Sequence, residues 1–185
     1  MELNIDIKKE QDVAQEHIKE QGLRVLVCGG TGCVANGSEK VMAKFRELGV
    51  NVGTLSNHDK MTVIPTGCHG FCEQGVLVIL PEEHTAYVKV KEEDVEEIFN
   101  SHIVGGKPVE RLLYVDPATK QSVQKPEEIN FYAKQTRTAL KNCGHINAES
   151  IEEAISVRGY EALANIIKQN NPDAVIQEII DSGLR

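Results

Sequence analysis

Four of the five cysteines in this 185-residue chain come in two pairs. Cys28-Gly-Gly-Thr-Gly-Cys33 spaces the first pair as C-x4-C, and Cys68-His-Gly-Phe-Cys72 spaces the second as C-x3-C. Thiolates are soft ligands, and a set of four suits an iron–sulfur cluster or a structural zinc ion. The spacing is neither the plant-type C-x4-C-x2-C run nor the bacterial C-x2-C-x2-C run. Structural zinc is commonly bound by tight x2–x4 knuckles. Thiol–disulfide exchange favours C-x-x-C, which is absent. Iron–sulfur ligation is therefore the first expectation, structural zinc the second, and thiol chemistry or plain packing the third. Gly29, Gly30, Gly32, Gly67 and Gly70 surround the cysteines. Lacking a Cβ, they let backbone N–H groups approach the sulfurs and stabilise a net-negative cluster.

Each pair follows a predicted strand. Residues 23–27 (LRVLV) form a short apolar run, and residues 61–66 form another. If these two strands run the same way in one sheet, both cysteine loops emerge at one edge and four thiols can converge. Around them the pattern predicts a polar helix over 5–21 ended by Gly22. It predicts a second helix after Ser38 as N-cap, with Val41, Met42, Phe45 and Leu48 inward and Gly49 closing it. Residues 50–55 read as a strand. Residues 76–80 and 85–90 read as a hairpin, and 92–100 as a helix with Val95, Ile98 and Phe99 inward. Residues 105–126 carry glycine and proline breakers and no helical stripe, and they read as a linker. Ile129, Tyr132, Ala133, Thr136 and Leu140 then recur at helical spacing, up to a stop at Asn142-Cys143-Gly144. Ser150-Ile151-Glu152-Glu153 has the form of a capping box, and Asn171-Pro172 of a helix start. The expected organisation is an α/β unit over 1–104, a linker over 105–126 and a helical unit over 127–185.

Composition narrows the function classes. Acidic residues outnumber basic ones by 28 to 20, a formal charge of −8, which disfavours gripping nucleic acid or anionic membranes. No apolar run approaches the ~20 residues needed to cross a bilayer, and the first residues are too polar for a secretory signal. The expected setting is cytoplasmic, where disulfides are rare and cysteines need another reason.

Two phosphate-binding patterns overlap the first loop. Gly30-Thr-Gly32-Cys-Val-Ala35 matches G-x-G-x-x-A, but that motif needs a helix to begin within it, and Asn36-Gly37-Ser38 is expected to delay one. Gly32-Cys-Val-Ala-Asn-Gly37 mimics a Walker A loop but is followed by Ser38-Glu39, so the phosphate-binding lysine is missing. His69, between two candidate ligands, is expected behind them or at the surface rather than as a ligand. Phe71 is expected to shield them from water. Cys143 reads as structural. Glu92, Glu93, Asp94, Glu96 and Glu97 form an acidic face, either solvated or a dock for a basic redox partner. The histidines at 17, 58, 84, 102 and 145 carry no partner pattern.

Strand–CGGTGC (28–33)–helix, then TGCHGFCEQG (66–75), then the apolar hairpin make the first ~105 residues resemble a thioredoxin-like [2Fe-2S] ferredoxin domain. The resemblance implies that Cys28, Cys33, Cys68 and Cys72 ligate one [2Fe-2S] cluster. Members usually carry Gly-Pro after the last ligand, and this chain has Gly75-Val76. NCGHINAESIEEAISVRGYEALANII (142–167) resembles the entry segment of the flavin-binding, NAD(P)H-oxidising subunit of complex I and of multimeric NAD(P)-linked [FeFe] hydrogenases. In that family a segment like DSGLR (181–185) precedes the glycine-rich FMN loop. The resemblance thus implies an N-terminal piece of a longer subunit, with FMN and NAD(P) bound only in the full-length parent. It implies other subunits of a hydrogenase or dehydrogenase complex and redox carriers as partners. It also implies a piece that transfers electrons without being catalytic alone.

Overall fold

The computed structural model describes residues 6–49 and 60–184 of the chain. At its centre a four-stranded sheet runs in the order β2-β1-β3-β4, from β1 (Leu23–Cys28), β2 (Met61–Thr66), β3 (Val78–Leu80) and β4 (Thr85–Tyr87). β1 is parallel to β2, with Cys28 opposite Thr66. β3 is antiparallel to both β1 and β4. The parallel pair brings the ends of β1 and β2 to one edge of the sheet, so the two cysteine loops leave side by side. Leu23, Val25, Leu26, Val27, Val78 and Leu80 are all buried. Cover on both faces explains why β1 reads as a continuous apolar run rather than an alternation.

Helices supply that cover. α1 (Ile7–Lys19) precedes β1, and α2 (Thr31–Ala35) lies inside the first cysteine loop. α3 (Ser38–Gly49) buries Val41, Met42 and Phe45 against β1 and β2. Beside α3 runs a composite helix: a 3₁₀ turn at Glu92–Asp94, α4 (Val95–Glu97), then wider π turns at Ile98–Val104. Val95, Ile98 and Phe99 point inward as expected, joined by Ile103. Its acidic face is largely paired within the fold. Arg111 donates to Asp94 Oδ1 at 2.6 Å and pairs with Glu97, while Lys44 Nζ lies 3.0 Å from Glu96.

Several elements differ from their sequence expectation. Helix α2 does begin within the G-x-G-x-x-A pattern, although it lasts only five residues. Ser38 is the first helical residue of α3, and its buried Oγ has no hydrogen-bond partner among the described residues. The expected strand over 50–55 lies outside the described residues. Residues 105–126 are folded against the sheet edge rather than free. They form a two-stranded ribbon, β5 (Tyr114–Val115) with β6 (Ser122–Val123), and bury Val109, Leu112, Leu113 and Tyr114. The N–H groups of Val88 and Ala86 donate to Leu112 and Gln124 carbonyls, both at 2.9 Å. The helix expected from Ile129 to Leu140 is a single turn, α5 (Asn130–Ala133), after which the chain bends back over the cysteine loops.

The C-terminal portion is helical: α6 (Ile151–Ser156), α7 (Glu161–Gln169) and α8 (Pro172–Asp181). Ser150 Oγ caps α6 by accepting from Glu153 N at 3.1 Å. The Glu153 carboxylate does not return to Ser150. It is buried and accepts from Asn147 N at 2.8 Å. Asn171 caps α8 and Pro172 opens it, as expected. α6 packs on α1, tying this portion to the sheet domain. No helix among the described residues is long and apolar enough to cross a membrane.

Candidate metal centre

The β1–β2 register decides where the thiols meet. Cys28 ends β1 opposite Thr66, and Gly29 N donates to Thr66 O at 2.9 Å, so the two loops start locked together. Cys33 is carried back by the single turn of α2, whose first residue follows Gly30. Cys68 and Cys72 bracket the second loop, which closes in a 3₁₀ turn at Cys72–Gln74.

All four cysteines predicted as ligands come together. Cys68 Sγ and Cys72 Sγ lie 3.9 Å apart. Two sulfurs on one tetrahedral metal with bonds of ~2.3 Å stand about 3.8 Å apart. Cys28 lies close enough to Cys33 and Cys68 for each to act on its acidity. Side chains hem the site closely. A Cβ on Gly30 would sit 3.1 Å from Cys68 Sγ, and one on Gly75 only 2.7 Å from Cys33 Sγ. The Gly75–Val76 peptide beside the second loop is cis.

The electrostatics favour a thiolate at Cys28 and hold the proton on its neighbour. Cys28 is lowered to about 6, first by the hydrogen bond from Cys33, then by the backbone N–H groups of His69 and Gly30, against the cost of burial. Cys33 is raised, chiefly because its proton is the one shared with Cys28, with burial adding to it. Cys72 is raised in the same way by its hydrogen bond with Cys68. Gly70 N donates to Cys68 Sγ at 3.3 Å, and the Leu77 amide supports Cys33. The expectation for the glycines therefore holds at Gly30 and Gly70. The Gly29 amide goes instead to the neighbouring loop's carbonyl.

This donor set fits an iron–sulfur cluster. It is all sulfur, with Cys72 beside Cys68 and Cys28 coupled to both Cys33 and Cys68, and amide hydrogens are aimed at the sulfurs. Among the described residues no group of three or more Cys, His, Asp or Glu side chains is gathered about a single point.

The surroundings place His69 and Phe71, which the sequence singled out, beside residues that it did not. His69 is buried, with Nε2 3.0 Å from Thr66 Oγ1 and its ring against Gly144, so it stands behind the ligands and not at the surface. Burial, reinforced by His145 and Arg137, lowers its pKa to about 4 and keeps it neutral. Phe71 is buried and stacks on Phe131 with centroids 4.4 Å apart, flanked by Tyr114 and Tyr132. Arg137 donates to the His69 carbonyl and, at 3.3 Å, to the Cys143 carbonyl. Cys143 joins only through that backbone group. Gly75 was visible inside TGCHGFCEQG as a glycine beside a ligand. Phe131 and Arg137, about sixty residues away, left no local signal.

Comparisons with known proteins bear on the same region. Residues 15–102 match the family model described as thioredoxin-like [2Fe-2S] ferredoxin. A "Ferredoxin, 2Fe-2S" from Aquifex aeolicus (strain VF5) is 40% identical over 82 residues, spanning 44% of this chain and 71% of the relative. One from Clostridium pasteurianum is 35% identical over 80 residues, spanning 43% and 76%. The NADP-reducing hydrogenase subunit HndC of Solidesulfovibrio fructosivorans is 46% identical over 52 residues, 28% of this chain and 10% of that protein. Among solved structures, a thioredoxin-like [2Fe-2S] ferredoxin from Aquifex aeolicus aligns at 33% identity over 49% of this chain and 87% of its own, with a TM-score of 0.43. With the parallel β1–β2 pair and its two cysteine loops, the family model and the two ferredoxin relatives place the chain in the thioredoxin-like [2Fe-2S] ferredoxin family, electron-transfer proteins built around a [2Fe-2S] cluster.

Proposed function

We propose that Cys28, Cys33, Cys68 and Cys72 hold one [2Fe-2S] cluster through which this chain passes single electrons. The observation that carries the reading is the convergence of four thiols at the shared end of β1 and β2, each within reach of another and supplied with backbone N–H donors. When bound, the cluster supplies one-electron redox chemistry. The residues hold it, and Phe71 with its aromatic neighbours keeps water from one side.

The finer reading concerns the parent assembly. The chain serves as the N-terminal part of an NAD(P)-linked hydrogenase or NADH dehydrogenase-like flavin subunit, with FMN and NAD(P) bound elsewhere in that parent. Support comes from the 52-residue likeness to HndC and from the resemblance of residues 142–167 to the entry of such subunits. In this reading residues 1–104 are the ferredoxin domain, 105–126 join it to the rest, and 127–185 open the flavin-binding domain. The partners are then other subunits of the complex and its redox carriers. The test is anaerobic purification with electron paramagnetic resonance. A rhombic signal on reduction, lost in Cys28→Ala, is expected. A protein that stays colourless after cluster reconstitution, with a reversible disulfide between the cysteines, overturns the ligand assignment.

A further inference from the structure

Arg137 lies outside the 15–102 stretch that defines the family, yet its guanidinium rests on the second cysteine loop. Three contacts fix it there: the carbonyl of His69, the carbonyl of Cys143 at 3.3 Å, and the face of the Tyr132 ring at 5.1 Å. One Nη would lie 3.8 Å from a Cβ on Gly70, whose own N–H donates to Cys68 Sγ at 3.3 Å. Among the described residues no carboxylate pairs with it. Every hydrogen bond it makes is to a neutral carbonyl, so its charge is not cancelled locally. The half-buried setting weakens solvent screening.

We infer that Arg137 is a tuning residue for the cluster: a fixed positive charge over the Cys68 loop that favours the reduced state and raises the reduction potential. This rests on the ligand reading above. On reduction the cluster takes one electron from an external one-electron donor, no bond forms or breaks, and the site becomes more negative by one charge. A cation held nearby stabilises that extra charge more than it stabilises the oxidised state. The positions of Phe131 and Tyr132 against Phe71 make the same segment a cover, so α5 and the bend after it bring both shielding and charge to the site.

The experiment measures midpoint potential by dithionite titration followed by electron paramagnetic resonance, with iron and acid-labile sulfide quantified first, in wild type, Arg137→Gln and Arg137→Lys. The expected result is full cluster content in all three. The glutamine variant should be harder to reduce by about tenfold in the one-electron equilibrium, a fall of about 59 mV, and the lysine variant should stay within about twofold of wild type. An unchanged potential in a fully loaded glutamine variant overturns the inference and leaves the ligand reading intact. Loss of iron from both variants makes Arg137 a structural strut and also overturns it. Should only the glutamine variant lose iron, the lysine variant decides: a wild-type potential supports the inference, and a tenfold fall overturns it. Wild type without iron and sulfide defeats the ligand reading itself.

Discussion

The two cysteine loops are built on opposite plans. Cys28 and Cys33 are each only 1% exposed, anchored by the end of β1 and the turn of α2 within the main core. Cys68 and Cys72 are exposed, and their loop is held from outside by Arg137, Phe131 and Gly144. The first loop is part of the fold, and the second is assembled onto it by a segment far along the chain. The proposed cluster site thus has one side built into the core and one side open to solvent.

The sharpest way to break this comparison is at the ligands. Cys28→Ser or Cys33→Ser should cut bound iron by well over tenfold, since even residues that only support a metal ligand are worth about 10–100-fold. Cys68→Ser and Cys72→Ser leave a hydroxyl at an accessible edge and should retain more iron with an altered absorption spectrum. Equal losses at all four positions, measured as iron per chain, would erase the distinction.

Next in size is the aromatic cover. Phe71 is buried among Phe131, Tyr114 and Tyr132, so Phe71→Ala should cost about 3–5 kcal/mol in urea unfolding. It should also speed loss of iron to a chelator, because it opens the side that the C-terminal segment closes. A destabilised variant with an unchanged chelation rate would make Phe71 core alone.

A pair of glycines sharpens the contrast further. Gly75→Ala sets a Cβ 2.7 Å from Cys33 Sγ and should cost about 1–3 kcal/mol with reduced cluster loading. Gly67→Ala meets nothing within 4 Å and should be close to neutral by both measures. Comparable effects at the two would mean that the close approach of Gly75 to Cys33 does not constrain the site.

Much of this was legible in the sequence, for a definable reason. β1, β2, α3 and the four ligands are local: an apolar run, a helical stripe and paired cysteines can each be read within a dozen residues. What was not legible depends on distant partners. Ile129, Tyr132, Ala133, Thr136 and Leu140 keep a helical period, yet the helix stops after Ala133 because Phe131 stacks on Phe71 and Arg137 reaches the His69 carbonyl. Residues 105–126 looked like a linker because their buried side chains, Val109, Leu112, Leu113 and Tyr114, follow no regular period while glycines and prolines punctuate them. Their order comes from pairing with β4, which no local pattern announces. His69 was placed beside the ligands, but its burial comes from Gly144 closing over its ring.

The smallest expected effect lies away from both loops and serves as their control. Tyr87 Oη accepts from Val109 N at 3.0 Å and shares a hydrogen bond with buried His102 Nδ1 at 2.7 Å. Burial lowers the His102 pKa from 6.5. The unfolded chain then binds the proton more readily, so this contribution is fully present above pH ~6.5 and falls as pH drops below it, down to the lowered folded-state value. His102→Gln should flatten that part of the stability profile in urea titrations. The cluster spectrum should stay constant across the same pH range, and a shift there would tie this region to the cysteine loops after all.

The most direct test of the central claim is iron and acid-labile sulfide per chain in anaerobically prepared protein. Two of each are expected, as a [2Fe-2S] centre requires. Stoichiometric zinc with neither iron nor sulfide would contradict it.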